Sequence, residues 1–501
     1  MELESEKWKP MILRECREDM PPYFAPCLTK KLPTLEYGEE VVYPDYEAVL
    51  PGFFDEKDAR AWIDAVYGPT QQGQTASNKR TVVDERQGLV AFLGLRGQNL
   101  VFKNVRWQEG NLPTTWNGES THCLGHMTLT AAWSEAVYDN DTSRTWVDEA
   151  AVYVTPDSER YQHFLDHTVK PLMQTAHLVT NTTLLIPGGG RGSKQPIVQD
   201  MWGWMSHVRP AQVQEAPAEL NARRLLTSCR VPYVHPYLFF RLQELVLSPE
   251  APRVPLSERK VVLWYTRNTD DANRANAGRT ISNEAEVLAA IRRLLESRGR
   301  GERLEIHPPD PARWPDQKEY VKYLNQNVAA VIGPHGGGLC NIKWVASGTL
   351  VLELQPRAWL NAHFFEESTG HGLNYWVDIR ESDALRFDMT ADVGNIVGLL
   401  SQELGRLPSR GPVLRHRYDW PAAMDDVFTG DAAHAGYFVS GRDGCCNRQL
   451  GEPGYPGLAI FKPDPALLTQ LQAQARQGQQ GQGQEGGQQG QQGGGQGQGQ
   501  Q

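Results

Sequence analysis

The sequence predicts an α/β protein of two domains that face each other across a cleft. Three observations predict it. Between Val261 and Ile379, short apolar runs alternate with helical patterns. A Pro-rich passage, SPEAPRVPLSERK (248–260), separates this region from what precedes it. Before that passage, Leu89–Leu95, Ala151–Val154 and Thr183–Ile186 read as strands and Ser158–Ala176 as a helix, so the first half is α/β as well. Continuous apolar strands joined by helices mean a parallel, doubly wound sheet covered on both faces. Two such domains joined by a linker make a cleft, and clefts between domains are where ligands bind.

In the second half the elements follow in order. VVLWY (261–265) is a strand, and Val287, Leu288, Ile291, Leu294 and Leu295 mark one face of the next helix. LEI (304–306) is a strand, Lys318–Asn325 a helix, and VAAVI (328–332) a strand. LCNIKWVA (339–346) reads as a short helix, TLVLEL (349–354) as a strand and LNYWVDI (373–379) as one more. In the first half, Tyr161, Phe164, Leu165, Val169, Leu172 and Met173 form the apolar side of the Ser158–Ala176 helix. The expected division is a domain over 1–250, a linker over 251–260, a Rossmann-like domain over 261–385 and an extension over 386–469 that packs back on both. Residues 470–501 are almost only Gln and Gly, with Arg476 and Glu485 as the lone charges, and read as a disordered tail.

With 501 residues, 40% hydrophobic and 22% charged, the chain has room for two or three packed cores. Its formal net charge of -10 argues against nucleic acid as a partner, because such partners usually meet a basic surface. Any anion it binds must be met by local donors. No apolar run reaches the length that spans a bilayer, and MELESEKWKPMILRECREDM (1–20) lacks the apolar core of a signal peptide. Seven cysteines in a chain this long do not make a disulfide scaffold, and Cys445-Cys446 has no second ligand pair to form a metal clamp. Asn-x-Thr sequons begin at Asn140 and Asn181 and matter only in a secretory compartment.

Three segments carry candidate chemistry. In VAAVIGPHGGGLCN (328–341) an apolar strand ends in Gly333-Pro334-His335-Gly336-Gly337-Gly338 and enters a helix. The unpaired N–H groups of a first helical turn attract anions, glycines admit a phosphate to the backbone, and His335 adds a donor. The plain structural alternative is a tight turn in which glycine supplies positive φ. Glu353, in the next strand, is placed as a ribose-binding carboxylate is in dinucleotide folds. The nicotinamide fingerprint G-x-G-x-x-G would use Gly336 and Gly338 but needs a third glycine where Asn341 stands.

In YTRNTDDANRANAGRTISNEAEVL (265–288), Arg267 and Arg279 lie in a polar loop after a strand, where ligands bind in open α/β sheets. Guanidinium groups there suit a pyrophosphate, whereas Arg274 reads as solvated loop. Asn283 and Glu286 have the spacing of a helix capping box. In YQHFLDHTVKPLM (161–173), His163, Asp166 and His167 share one helical face. An imidazole held by a carboxylate can take a proton from a hydroxyl, and solvated surface is the alternative. A metal site there lacks a visible third ligand. Asp139-Asn140-Asp141 is a D-x-D in an exposed setting and is not expected to bind metal. PGGGRG (187–192), with Arg191, is a glycine-rich loop that either lines the cleft or is a flexible turn.

Together the three segments resemble glycosyltransferase family 61. The matching pieces are H-F-x-D ending at Asp166, R-x-I-x-N-E-x-E over Arg279–Glu286 and G-x-H-G-x-x-L-x-N over Gly333–Asn341, continued by G-x-x-V-x-E-L over Gly348–Leu354. Their order and spacing match over roughly Tyr153 to Ile379, and the sequence departs from the family at Gly337, where alanine is usual. The resemblance implies a GT-B-like fold of two Rossmann-like domains, an inverting displacement, a UDP-sugar donor and no obligatory metal or other cofactor. Xylose, arabinose or N-acetylglucosamine would be the sugar moved, and a glycan or glycoprotein the acceptor. Arg267, Arg279, His335, Gly336, Gly337 and Gly338 would hold the diphosphate, with Asn283 and Glu284 in the donor motif and Asn341 or Glu353 on the nucleoside. His163 or Asp166 would act as base toward the acceptor. The family works in the endoplasmic reticulum or Golgi lumen behind an anchor that this sequence does not display. A binding protein that has lost turnover, or a nicotinamide-dependent oxidoreductase, are the alternative readings.

Overall fold

A computed structural model of the chain describes residues 4–13, 35–68, 80–93, 95–108, 137–138, 146–153, 160–186, 196–205, 208, 212–213, 219–247, 253–268, 278–308, 314–383, 385–409, 413–416, 457–462 and 469. The expectations for Asp139–Asp141, the 187–192 loop with Arg191, Arg274, Cys445-Cys446 and the 470–501 tail lie outside the described residues.

The C-terminal sheet has five strands in the order Arg303–His307, Val261–Tyr265, Val328–Pro334, Leu350–Pro356 and Asn374–Arg380. All four pairings are parallel. Three of these strands are covered on both faces and largely apolar: every residue of Val261–Tyr265, Val328–Pro334 and Leu350–Pro356 is buried, Glu353 and Gln355 being the polar exceptions. One covering helix, Glu284–Arg298, buries Val287, Ala290, Ile291, Leu294 and Leu295 at helical spacing and stops at Gly299, whose φ of 62° makes the left-handed C-cap. The expected capping box does not form. Asn283 instead pairs with the backbone of Ala391, accepting from its N–H at 2.9 Å and donating to its carbonyl at 3.0 Å. A ladder to another segment outbid the local cap.

The N-terminal sheet is mixed and so differs from the parallel sheet expected of a second Rossmann-like domain. Its order is Met11–Leu13, Leu35–Val42, Arg96–Gln108, Glu219–Arg230, Trp146–Val152 and Leu184–Ile186, with Val137–Tyr138 paired to Arg96–Gln108. Only the last two pairings along that path are parallel. The chain from Trp146–Val152 to Leu184–Ile186 passes through a helix, making one βαβ unit. That helix runs through Tyr161–His163, a π turn at Phe164–Thr168, and Val169–Thr175. Such turns recur at functional sites.

A third, antiparallel sheet orders Leu414–His416, Tyr46–Val49, Leu89–Leu93 and Arg80–Asp84. It leads directly onto the edge of the C-terminal sheet, where the Gly52 N–H donates to Tyr375 and its carbonyl accepts from Val377. The following helix, Glu56–Tyr67, buries Trp62, whose ring meets Phe365 edge-on and whose indole N–H donates to Gln355 at 3.1 Å. Residues on either side of the Pro-rich passage are therefore packed into one body. The passage itself is pinned through Arg259, which donates to Val254, Ala346 and Thr349.

Asp378, in the last strand of the parallel sheet, is 2% exposed. Burial raises its pKa to about 7, although Arg380 at 3.2 Å opposes the shift. A carboxyl with a raised folded pKa contributes stability that is complete below its unfolded value of 3.8 and lost as pH rises through about 7. Asp378→Asn is expected to raise the urea midpoint at pH 8 and to leave it nearly unchanged at pH 4. Equilibrium urea unfolding at the two pH values checks this.

Candidate active site

The parallel strands run 2-1-3-4-5, so adjacent crossovers leave in opposite directions between Val261–Tyr265 and Val328–Pro334. Ligands of open α/β sheets bind outside the carboxyl ends of the strands at that point. A cavity of about 1160 Å³ lies there. Its walls include Arg267, Arg279, His335 and Asn341 from the C-terminal half and His163, Asp166 and His167 from the Tyr161–Thr175 helix.

The glycines after the strand serve close approach. None of Gly333, Gly336, Gly337 and Gly338 sits in the left-handed region, Gly336 being extended at φ 167°, so the expected turn geometry is not the reason for them. A Cβ on Gly338 would stand 1.7 Å from the Tyr265 ring, and one on Gly336 would stand 2.3 Å from Arg267 Nη1. Glycine lets Tyr265 and Arg267 lie flat against the turn. At Gly337 a Cβ would meet only the tip of Gln162, at 2.8 Å. Gly337→Ala should therefore be tolerated by a swing of that side chain. Gly338→Ala should cost at least about 1–3 kcal/mol through overpacking. Thermal unfolding of both variants separates the two expectations.

The expected helix start is a seven-residue 3-10 segment, Gly337–Lys343, whose Leu339 N–H is already bonded to Gly336. The helix dipole therefore contributes little, and the positive character of the site comes from side chains. Arg267 is 3% exposed, with Nε donating to the Gly278 carbonyl at 2.8 Å. Arg279 is 8% exposed, sits at φ 62° and lies 4.7 Å from the Trp359 ring centre. Burial, aided by the charge of Arg267, lowers the Arg279 pKa to about 10. Two buried guanidinium groups thus repel each other in a protein whose net charge is -10, and an anion between them would relieve that repulsion.

His335 lines the cavity and its Nδ1 is 2.5 Å from Glu353 Oε1. Glu353 is fully buried and also accepts from Tyr375 and Gln355. It holds His335 and is not among the residues lining the cavity, so its carboxylate is engaged by the protein where a place on the nucleoside was expected. With Nδ1 turned to Glu353, Nε2 lies 3.4 Å from the Asn361 amide. Asn341 lines the cavity but is engaged: its amide donates to Gly338 at 2.9 Å, and its oxygen accepts from Tyr161 at 3.0 Å. Asn283 and Glu284 do not reach the cavity. Glu284 accepts from the Trp264 indole at 2.7 Å, as Asn283 does from Ala391, so both position the loop that carries Arg279.

A nearby corner is aromatic. His307 stacks on Tyr320 with ring centres 6.0 Å apart and Nδ1 2.9 Å from the phenol oxygen. Burial lowers its pKa to about 4, so the ring is neutral at pH 7.

The floor holds a buried charge cluster. Lys343, fully buried, lies 2.8 Å from Asp166 and 2.5 Å from Glu367. Lys170 is 3.7 Å from Glu367, and His363 Nε2 is 3.4 Å from Asp166 and 3.7 Å from Glu367. Burial alone would raise the Asp166 pKa, but Lys343, His363 and Lys170 outweigh it and hold the carboxyl well below its usual range. Burial and Asp166 together raise Glu367. Asp166, His363 and Glu367 bring three potential ligand atoms within 4.8 Å, a set that shares only Asp166 with the helix face considered from the sequence. Yet the ammonium of Lys343 already stands against both carboxylates, and a cation of higher charge would be repelled by it. The donor set fits a lysine better than a metal.

Residues 161–352 match the glycosyltransferase 61 family. The glycosyltransferase 61 stretch opens on the cavity helix at Tyr161 and closes in the strand that carries Glu353, so it includes Arg267, Arg279, His335 and Lys343. It supports a glycosyltransferase. No curated protein matches the chain significantly. Trp359, Asn361, His363 and Glu367 lie beyond the glycosyltransferase 61 stretch but line the same cavity. Sequence reasoning missed these and Lys343. The four-residue spacing of His363 and Glu367 was the available signal, as was a lysine inside the apolar run LCNIKWVA.

Proposed function

We propose that the cavity binds a UDP-sugar and that the protein transfers the sugar, with inversion and without an obligatory metal, to a hydroxyl of a glycan or glycoprotein. The observation that carries this reading is the pair of buried, mutually repelling arginines at the switch point of the parallel sheet. Arg267 and Arg279 face the diphosphate and stabilise the charge that grows on it as the leaving group departs. His335, held through Nδ1 by Glu353, presents its ring edge to the diphosphate. The His307–Tyr320 corner takes the base, and the acceptor enters past the Tyr161–Thr175 helix, where His163 and Asp166 stand.

The acceptor oxygen attacks the anomeric carbon from the side opposite the diphosphate. The carbon–oxygen bond to the phosphate breaks, and its electron pair leaves with UDP. Work in the lumen of the secretory pathway would suit a glycoprotein acceptor; among the described residues no helix is long and apolar enough to cross a membrane. The test is UDP release from UDP-xylose, UDP-arabinose and UDP-N-acetylglucosamine, each with and without EDTA. Release from at least one donor, unaffected by EDTA, is expected. UDP binding without release from any donor would make the protein a binding module instead.

A further inference from the structure

We propose that His363 is the general base of the transfer, with Asp166 and Glu367 as the residues that position it; this rests on the transferase reading above. Three observations carry it. First, His363 lines the cavity with its side chain 36% exposed, whereas Asp166 beside it is 4% exposed. The imidazole is the member of the cluster that an incoming hydroxyl meets. Second, Asp166 is committed to Lys343 at 2.8 Å, which makes its carboxylate a weak proton acceptor. Third, His363 opens the helix His363–Gly370 directly after the short loop that carries Trp359 and Asn361, and the Asn361 amide lies 3.4 Å from His335 Nε2. That loop sets His363 beside the diphosphate corner, on the side where the sugar must lie.

The backing of the ring fits the role. Nε2 lies 3.4 and 3.7 Å from Asp166 and Glu367 and 3.4 Å from the Gln162 side-chain amide, and an Nε2–H directed at the carboxylates leaves Nδ1 as the basic nitrogen. Burial disfavours the charged ring, but Glu367 and Asp166 outweigh it and raise its pKa. Lys343 and Lys170 offset the two carboxylates in the resting cluster, and a proton arriving on His363 adds one positive charge that Asp166 and Glu367 face most closely. In the step, Nδ1 takes the proton of the acceptor hydroxyl as that oxygen bonds to the anomeric carbon. The bond from that carbon to the diphosphate breaks, its electron pair leaves with UDP, and the proton passes from the imidazolium to water. The same base would activate water when a donor is hydrolysed without an acceptor.

The experiment measures UDP release from the three UDP-sugars in water for wild type, His363→Asn and His363→Ala, with and without sodium azide. UDP-induced stabilisation in thermal unfolding is read in parallel. Both variants are expected to keep the UDP-induced shift and to lose release by about 100-fold or more. Azide attacks as an anion and gives up no proton, so it should restore release in His363→Ala. Release within about threefold of wild type in both variants, or a loss that azide does not repair while UDP still binds, overturns the assignment. His163→Asn is measured alongside, and a loss confined to it would move the base to His163 and overturn the assignment as well. If wild type releases no UDP from any donor, the transferase reading itself fails, and the assignment falls with it.

Discussion

Lys343→Met is expected to lower the unfolding free energy by about 3–5 kcal/mol at pH 7, read from the urea midpoint, because it leaves buried carboxylates without their closest cation. Lys343 is fully buried and within 2.8 Å of both Asp166 and Glu367. Lys170, at 3.7 Å from Glu367, is too distant to replace it. Asp166 supplies the pH signature. Its folded pKa is depressed, so the stability it contributes is present above its unfolded value and is lost as pH falls through the folded one. The deficit of Lys343→Met should therefore shrink as the buffer is taken from pH 7 to pH 3. Adding Asp166→Asn and Glu367→Gln should recover much of the loss, because it removes the unpaired charges along with the cation. A deficit unchanged by pH would place the cause in lost packing rather than in charge.

Arg267→Ala is expected to reduce UDP-sugar turnover by about 100- to 1000-fold, the range for removing a donor aimed at developing charge. Arg267→Lys should recover little of it, since a lysine can neither bond the Gly278 carbonyl through Nε nor present a planar fork to a phosphate. Steady-state UDP release for both variants checks the expectation. The position is also guarded from its far side. The Nη1 atom occupies the place that a Cβ on Gly336 would need, so a larger residue at 336 should mimic the loss by pushing the guanidinium away.

The C-terminal sheet was legible in the sequence because both its faces are covered. VVLWY and VAAVI are continuously apolar for that reason, TLVLEL is so apart from Thr349 and Glu353, and each is a strand within two residues of its expected bounds. The N-terminal sheet was less legible. Its longest strand, Arg96–Gln108, is antiparallel to three neighbours and carries Gln98, Asn99, Lys103 and Asn104, which break any apolar run. Asn99 is nonetheless fully buried, because its amide bonds Glu39 and its oxygen accepts from Gln174. Such pairing depends on partners 60 and 75 residues away, which no local pattern announces.

The site divides the same way. The segments containing Arg267, Arg279, His335 and the His163–His167 face stood out because polar, glycine-rich or histidine-bearing residues interrupt regular elements, and all of these residues line the cavity. Asn283, Glu284 and Glu353 lay in the same motifs but turn inward to hold their neighbours. A motif fixes residue types, while the direction of each side chain follows from the fold. The helix His363–Gly370 gave no periodic signal, since Phe364 through Gly370 are buried all round it. The cluster it completes joins side chains from three separate segments, at 166–170, 343 and 363–367.

The most direct test of the central claim is a calorimetric titration of UDP into the whole protein, with and without EDTA, beside a titration of NADH. Saturable UDP binding at one site, unchanged by EDTA and weakened at least tenfold in Arg267→Ala, is the predicted result. No heat with UDP, binding that appears only with added metal, or saturable binding of NADH instead would contradict the assignment of the cavity to a nucleotide-sugar donor.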